Sequence, residues 1–264
     1  LELKYDNANK IYLSGGSLDY LDDYTLWTTI GGETTSYDSV ESLNLDASNE
    51  QILLADDRDT NTQLGYDAAI DGDYIIGGGP QDDEGGSSAG AAYIFKRNGT
   101  SWKQTAKLIV SDASSSDQAG EFVNIFGDYA IIGVYTKSSN AGAAYIFKRD
   151  TDAETWTEQE KITASDAATN DYFGNSVSLN GDYAVVGAPY DGNGEGAAYI
   201  FIRSGTDWTQ QQKITSSPTA TNDEFGLSVD ISGDYVISGA NGTTTRAGSA
   251  YIFKRSGTSW SQQA

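Results

Sequence analysis

Apolar residues along the chain fall in short runs that are separated by polar, glycine-rich segments. In the run from Ala197 to Arg203, Tyr, Phe and Arg alternate with Ala, Ile and Ile, so two sets of side chains point to opposite faces of a strand. Short alternating runs with flanking glycines predict β-strands. Because both faces are largely apolar, we expect each sheet to pack between two neighbours.

The runs recur as a repeated unit. Each unit contains a Gly-Asp-Tyr triplet, an apolar run ending in Gly, an Ala/Ser-Ala-Tyr-Ile-Phe run and a tryptophan. Four-strand units that recur about every 50 residues are typical of β-propeller blades. The triplets begin at Gly72, Gly127, Gly181 and Gly233, and the tryptophans are Trp102, Trp156, Trp208 and Trp260.

Each unit predicts four strands and one tight hairpin. In the third clear unit the strands are expected at 176–179, 183–188, 197–203 and 207–214. Glycine at the second turn position supplies the positive φ that a two-residue hairpin needs. The predicted turn pairs are Asn98-Gly99, Ser204-Gly205 and Ser256-Gly257.

A degenerate copy precedes the four clear ones. Gly15–Leu18 and Asp23–Leu26 match the starts of later strands, and Val40–Leu45 and Gln51–Ala55 are predicted as its last two strands. We therefore predict one all-β domain over 1–264, a β-propeller of five four-stranded blades in which Leu1–Leu3 completes the last blade. Part of a seven-bladed propeller is the alternative. The predicted repeats are approximately 1–58, 59–110, 111–163, 164–215 and 216–264.

One motif links the chain to a known family. The segment Asp171–Val177, followed by Gly187-Ala188-Pro189, resembles the FG-GAP repeat of integrin α-subunit propellers, and the short variant of microbial surface proteins is more similar still. The resemblance covers about residues 60–264 well and 1–59 poorly. It implies a propeller and an extracellular or cell-surface location, but a fold does not fix a function.

The calcium loop of integrin-type copies is not carried over by this resemblance. The corresponding segment, Leu179–Tyr183, is too short to wrap an ion. The aspartate of each Gly-Asp-Tyr triplet is instead predicted to cap backbone N–H groups of its turn.

The amino-acid composition excludes several classes of partner and of catalytic site. The formal net charge is −22, and the chain contains no His, Cys or Met. Such a field repels phosphate backbones, so we expect no nucleic-acid partner. No stretch approaches about 20 apolar residues, so we expect no insertion into membranes. Lacking histidine, the chain has no Ser-His-Asp triad and no histidine zinc site. Carboxylate-based glycoside hydrolysis stays as a remote alternative, although no pair of carboxylates stands out.

Variable loops between the second and third strands are the predicted functional surface, because all of them emerge on one rim. Two of these loops are acidic and could offer oxygen ligands to calcium. The candidate metal ligands are Asp191, Asn193 and Glu195 in one loop, and Asp82, Asp83 and Glu84 in the other.

Two further sets of residues recur. Asp112, Asp117, Asp166, Asp171 and Asp223 precede the Phe-Gly positions, where they are predicted to cap a turn, with a shared cation as the alternative. The recurring tryptophans are predicted to pack between blades, with sugar stacking as the alternative.

Function is predicted at the level of class. Asn98 and Asn241 begin Asn-Gly-Thr sequons and are candidate glycosylation sites. The sequence favours a non-catalytic binding or adhesion module that engages a protein or glycan ligand through the rim loops. A structural subunit of a filament or coat, associating with copies of itself, is the alternative.

Overall fold

The computed structural model describes residues 2–5, 11–14, 26–30, 33–37, 51–57, 61–242 and 247–263. The chain divides into two compact units, Leu1–Ile52 and Leu53–Ala264. Within the described ranges, no helix has the length and apolar character needed to cross a membrane.

The first unit contains two hairpins. Strands β1 (Glu2–Tyr5) and β2 (Ile11–Ser14) pair, as do β3 (Leu26–Ile30) and β4 (Glu33–Tyr37). The short connection between Glu2–Tyr5 and Ile11–Ser14 favours this pairing, because closing a short loop costs little entropy. Pairing of Leu1–Leu3 with the last repeat stays a prediction. The predicted strand Val40–Leu45 lies outside the described residues.

The predicted strand Gln51–Ala55 is wrong: the structure assigns it no strand. Ala55 is nevertheless buried, and it packs with Leu53 against Tyr93 and Phe95. The run of four apolar residues, Ile52–Ala55, suggested a strand. Leu53 and Ala55 cover a sheet although the segment is irregular, whereas Ile52 and Leu54 are 82% and 51% exposed.

The second unit is all-β and contains four four-stranded antiparallel sheets, where the sequence predicts five. Each sheet is a meander, as propeller blades are. The fifth predicted sheet falls on residues 1–58, of which the structure describes only part. The sheets are β5–β8 (Ala68–Asp71, Tyr74–Gly79, Ala91–Asn98, Ser101–Leu108), β9–β12 (Phe122–Phe126, Tyr129–Val134, Ala143–Asp150, Thr155–Ile162), β13–β16 (Ser176–Asn180, Tyr183–Ala188, Ala197–Ser204, Asp207–Ile214) and β17–β20 (Ser228–Ser232, Tyr235–Ala240, Ser249–Ser256, Ser259–Gln262).

Strands and turns of the clear repeats agree with the sequence prediction to within about one residue. Gly99, Gly205 and Gly257 have φ of +64°, +67° and +64°, which confirms the predicted hairpin turns. Two four-residue helical turns, α1 (Lys137–Asn140) and α2 (Asp191–Gly194), lie in the connections after β10 and β14, and both contain residues with positive φ.

Apolar side chains fill the space between consecutive sheets. In β15, Tyr199 and Phe201 join the cluster shared with the sheet before, whereas Ala198 and Ile200 join the cluster shared with the sheet after. The prediction that both faces of each sheet are covered is thus confirmed for this strand. The sheet β13–β16 is therefore held by two layers of buried side chains.

Glycine allows the backbones of consecutive repeats to approach closely. A Cβ at Gly133, near the end of β10, would collide with the carbonyl oxygen of Gly174, and one at Gly174 would collide with that of Ala143. Gly174 also has φ of +98°. The Phe-Gly turn that opens one repeat therefore rests on the strand end of the repeat before it.

Aromatic residues join consecutive sheets at a second point. The Trp208 ring packs edge-on against Tyr129 of the preceding sheet, with centroids 5.8 Å apart, and the Arg203 guanidinium lies 4.7 Å from the centroid of the same ring. Trp208 and Trp260 are each only 3% exposed, so the prediction that they pack between blades is confirmed for both. Equivalent contacts join Trp156 and Arg149 to Tyr74, and Trp260 and Arg255 to Tyr183.

The aspartate of each Gly-Asp-Tyr triplet has a different role from the predicted one. The Asp182 carboxylate accepts a hydrogen bond from the Arg203 guanidinium, and the Asp182 carbonyl oxygen accepts one from the Arg203 backbone N–H. The arginine stands two residues after the Tyr-Ile-Phe run, close enough to bind this carboxylate directly. The carboxylate therefore pairs with the guanidinium and not with a backbone N–H of its own turn. The same pairing joins Arg97 to Asp73, Arg149 to Asp128 and Arg255 to Asp234.

Candidate ligand-binding edge

The connections of each meander lie at two opposite ends of its strands. Tight turns of the Gly-Asp and Asn-Gly or Ser-Gly type lie at one set of strand ends, here called the turn edge. The longer connections, such as β10–β11 and β14–β15, and the Phe-Gly turns lie at the opposite strand ends, here called the loop edge. Parallel bridges such as Gly142 to Phe173 and Gly196 to Phe225 join consecutive repeats there. The loop edge thus carries the variable loops that the sequence predicts as the functional surface. Backbone bridges between consecutive repeats hold these loops in place.

A tyrosine, a lysine and carboxylates cluster near the loop edge in three sheets. The buried Tyr199 hydroxyl donates to Asp166 (2.9 Å) and Asp191 (3.1 Å), while Lys213 Nζ lies 2.7 Å from both carboxylates. Lys213 Nζ also lies 5.3 Å from the centroid of the Tyr199 ring. The corresponding groups are Tyr93, Lys107, Asp57, Asp82 and Glu84, and Tyr145, Lys161 and Asp112.

Hydrogen bonds within these clusters decide the charge states. Burial raises the pKa of Asp112, but hydrogen bonds from Lys161 and Tyr145 outweigh it and lower this pKa to about 2. The pKa of Asp82 is also lowered, because Lys107 and Tyr93 together outweigh burial. Burial raises the pKa of Tyr199, and its bond to Asp166 raises it further. At neutral pH the clusters therefore hold ionised carboxylates and protonated phenols.

The three predicted calcium ligands of the first acidic loop have partly different partners. Asp82 contacts Tyr93 and Lys107, whereas the Asp83 carboxylate accepts a hydrogen bond from the Ser88 backbone N–H at 2.7 Å. Glu84, with a side chain 62% exposed, contacts Lys107 from outside.

In the other acidic loop, the Asp191 carboxylate accepts a hydrogen bond from the Tyr199 hydroxyl and pairs with Lys213. Asn193 is exposed and has a positive φ. Glu195, which is half-buried, lies just past α2. Over the residues that the structure describes, no three acidic side chains are arranged to hold a metal ion. Lysine ammonium groups contact Asp82 and Asp191, and calcium binding stays a prediction from sequence.

The aspartates before the Phe-Gly positions have two roles. Asp117, Asp171 and Asp223 each accept a hydrogen bond from the backbone N–H three residues earlier, at 2.7, 2.6 and 2.7 Å. These bonds are the turn caps that the sequence predicts. Asp112 and Asp166 belong instead to the tyrosine–lysine clusters, which the sequence analysis missed because their partners are far apart in the chain.

Lys137 distinguishes the second sheet from its neighbours. It stands in α1 at the position that Asp191 holds in α2. Its Nζ donates to the Asp117 carboxylate at 2.5 Å and lies 3.3 Å from that of Asp112. Lys137 is 8% exposed, so this ion pair is one of the most buried at the loop edge.

Three tyrosines line a pocket at the loop edge, here called the tyrosine pocket. Tyr172 lies between Tyr135 and Tyr190, with ring centroids 5.5 and 5.0 Å apart and planes inclined by 32° and 59°. The pocket encloses about 780 Å³, and its lining includes Glu121 and Asp171. Tyr172 has φ of +58°, an unusual conformation for a bulky residue that the turn before Phe173 imposes.

The two carboxyl groups of the tyrosine pocket are buried. Glu121 is 8% exposed and Asp171 is 6% exposed. Burial raises the pKa of Glu121, and only its hydrogen bond with the Tyr135 hydroxyl opposes this effect. Burial also raises the pKa of Asp171 and the nearby charge of Asp191 raises it further, while the hydrogen bond from the Ala168 backbone N–H and the charge of Lys213 lower it. A cation at this place would therefore be stabilised by both groups.

The candidate glycosylation sites lie at opposite edges of the sheets. Asn98 is exposed in the tight turn between β7 and β8. Asn241 is exposed just after β18, but the threonine of its sequon, Thr243, lies outside the described residues. Glycosylation of either residue stays a prediction.

Comparison with known families identifies the repeat. The model of the FG-GAP repeat matches residues 47–95, 102–147, 156–201 and 208–253, which together make up well over half of the chain. This match confirms the resemblance seen in the sequence. No curated protein matches the chain.

Solved structures share the fold at low sequence identity. A protein from Lactobacillus plantarum aligns with a TM-score of 0.51 and 13% identity, covering 74% of this chain and 53% of that one. Sqt1 from Saccharomyces cerevisiae aligns with a TM-score of 0.46 and 9% identity, covering 74% of this chain and 46% of that one. The chain thus spans about half the length of these proteins, and the likeness concerns the fold alone.

Proposed function

Since the chain belongs to the FG-GAP repeat family, we propose that it is a non-catalytic binding module at the cell surface or outside the cell. Its ligand, a protein or a glycan, binds at the loop edge. The tyrosine pocket carries this proposal, because it is a concave site on connections that differ from repeat to repeat while the sheets below them stay the same.

Electrostatics supports the choice of partner class. The net charge of −22 favours cationic or neutral ligands and disfavours nucleic acid and anionic membranes. The proposal of no catalysis rests on the tyrosine–lysine clusters, in which Asp82, Asp112 and Asp166 each contact a lysine and a tyrosine. Such pairing is typical of structural ion pairs.

We further propose that the protein is a five-bladed propeller, with the degenerate first repeat as the fifth blade. Two observations support this proposal. The first is the match of Gly15–Leu18 and Asp23–Leu26 to the later repeats. The second is the fourth sheet, which exposes Tyr235, Ile237 and Ile252 at 48%, 44% and 39%, an apolar face that a further blade would cover.

The same apolar face supports one alternative, a structural subunit that associates with copies of itself. In that case Tyr235, Ile237 and Ile252 would contact a neighbouring subunit. The net charge of −22 opposes association of this kind unless salt screens it. We therefore place the binding module first.

The absence of cysteine makes a direct test of the loop edge feasible. Thr169→Cys places a single thiol at the tyrosine pocket, and Thr206→Cys places one at the turn edge; both threonines are exposed. Each variant is coupled to a polyethylene glycol maleimide and applied, with the unmodified protein, to glycan and peptide arrays.

We expect the polymer at Thr169→Cys to abolish binding that the unmodified protein shows, and the polymer at Thr206→Cys to leave it intact. The two variants make the same change of residue and carry the same polymer, so only its position differs. No binding to any array, or equal blocking from both positions, would refute a ligand site at the loop edge.

A further inference from the structure

The tyrosine pocket combines aromatic rings and buried carboxylates. Tyr135, Tyr172 and Tyr190 are inclined to one another and form the walls, and Glu121 and Asp171 supply negative charge. A flat sugar ring is best bound by an exposed, level aromatic surface, whereas inclined rings around a negative group suit a cation. The geometry thus favours a positively charged group over a glycan.

The protein itself shows which cation this chemistry accepts. In three sheets a lysine Nζ lies over a tyrosine ring and beside a carboxylate. Lys213 Nζ is 5.3 Å from the centroid of the Tyr199 ring and 2.7 Å from Asp166. Lys107 and Lys161 lie 5.5 and 5.4 Å from the centroids of the Tyr93 and Tyr145 rings, in the same relation to Asp82 and Asp112.

The tyrosine pocket lacks such an internal cation. Among the described residues that line it there is no lysine or arginine. Glu121 is more than nine-tenths buried, and its charge is met there by the neutral hydroxyl of Tyr135. A buried carboxylate is costly unless it is paired with a positive charge or with several donors, so an external cation would meet this need.

We propose that the tyrosine pocket binds the ammonium group of a lysine side chain presented by a partner protein. The proposal rests on the proposed function and names the ligand chemistry at the loop edge. The ammonium group lies against the faces of Tyr172 and Tyr190 and pairs with Glu121 and Asp171, as Lys213 does with Tyr199, Asp166 and Asp191. The net charge of −22 attracts a basic partner to the pocket.

Titrations followed by NMR test this proposal with small probes. The probes are the blocked tripeptide Gly-Lys-Gly, its norleucine analogue, n-butylammonium chloride and a methyl glucoside. We expect saturable shifts of the tyrosine ring signals with the lysine peptide, none with norleucine or the glucoside, and weaker binding of butylammonium, which lacks peptide contacts. Equal affinity for butylammonium would overturn the assignment of the ligand to a partner protein. Binding of the norleucine peptide or the glucoside in place of the lysine peptide would overturn the conclusion that the pocket binds a cation.

Variants connect the signal to the pocket. We expect Glu121→Gln and Tyr190→Leu each to weaken binding of the lysine peptide by about fivefold, the effect of one desolvated cation contact. Tyr235→Leu is the matched control, because Tyr235 is similarly exposed but lies outside the pocket. Tyr190 is 43% exposed, so its variant stays informative even if Glu121→Gln unfolds the protein. Equal loss in Tyr235→Leu would overturn the site.

Failure of this inference is distinguishable from failure of the proposed function. If a polymer at Thr169→Cys blocks a ligand on the arrays but the lysine peptide causes no shifts, the loop edge binds some other chemistry and the lysine assignment is wrong. If no ligand depends on the loop edge, both are wrong.

Discussion

Lys137 is the residue at which the second sheet departs from its neighbours. Asp82 and Asp191 occupy the related position in the adjacent sheets, where each contacts a lysine from the last strand. In the second sheet Lys161 still pairs with Asp112, and Lys137 adds a second ammonium group that reaches Asp117. The excess of carboxylates over lysines at the loop edge is therefore smaller in the second sheet than in its neighbours.

Replacing Lys137 by methionine should destabilise the protein strongly. The change keeps the length of the side chain but leaves Asp117, which is 8% exposed, without its cation. Removing one partner of a buried ion pair costs about 3 kcal/mol, since the other charge stays buried and unpaired. Urea denaturation gives the free energy of unfolding.

Lys254→Met is the control for this measurement. Lys254 is exposed, and its Nζ lies 5.4 Å from the centroid of the Tyr235 ring, so the cost should stay near 0.5 kcal/mol. If the two variants lose the same amount of stability, the buried pair of Lys137 and Asp117 contributes nothing special.

At the scale of elements, the four clear sheets could be predicted because every repeat gives the same signal. Alternation in the Ala197–Arg203 run predicted which side chains share a face, and glycine predicted the hairpin turns. The first repeat was harder to predict, since Leu53 and Ala55 pack against a sheet without pairing as a strand. Burial and strand pairing give similar patterns over so few residues.

The contacts between sheets could not be predicted in the same way. Asp182 lies in the turn before β14, 21 residues from Arg203, and Trp208 meets Tyr129 of another sheet, so neither pair is a local sequence motif. The tyrosine pocket likewise combines residues from two repeats. No sequence pattern singled out its tyrosines, and only the fold brings Tyr135 near Tyr172.

The contact of Tyr129 with Arg203 can be measured by a double-mutant cycle. We expect Tyr129→Leu and Arg203→Met to couple by about 1 kcal/mol, the usual size of a partly buried cation–π contact. Coupling is obtained from the free energies of unfolding of the two single variants and the double variant. The effect of Arg203→Met on Asp182 cancels in this comparison.

Arg255→Met provides the matched cycle. Arg255 makes the equivalent contact with Tyr183, at 4.8 Å from the ring centroid, and belongs to the next sheet. Its effect should add to that of Tyr129→Leu within about 0.5 kcal/mol. Coupling of equal size in both cycles would mean that the repeats communicate through the whole array and that the direct contact is not the cause.

For the whole molecule, charge and repetition act in opposite directions. Repeated apolar faces favour stacking of one blade on another, and Tyr235, Ile237 and Ile252 leave such a face exposed on the fourth sheet. Mutual repulsion at a net charge of −22 per molecule opposes the stacking of separate molecules. A blade from the same chain is attached covalently, so its stacking does not carry the entropic cost of bringing two molecules together.

The proposed five blades can therefore be tested together with the oligomeric state. We expect negative-stain electron microscopy at low salt to show separate particles whose class averages have five lobes, because repulsion keeps the molecules apart while the first repeat covers the fourth sheet. Filaments or sheets at low salt would contradict the monomer and favour the structural subunit. Averages with four lobes would remove the first repeat from the ring, and Ile237→Lys should then leave the free energy of unfolding unchanged, since Ile237 would face only water.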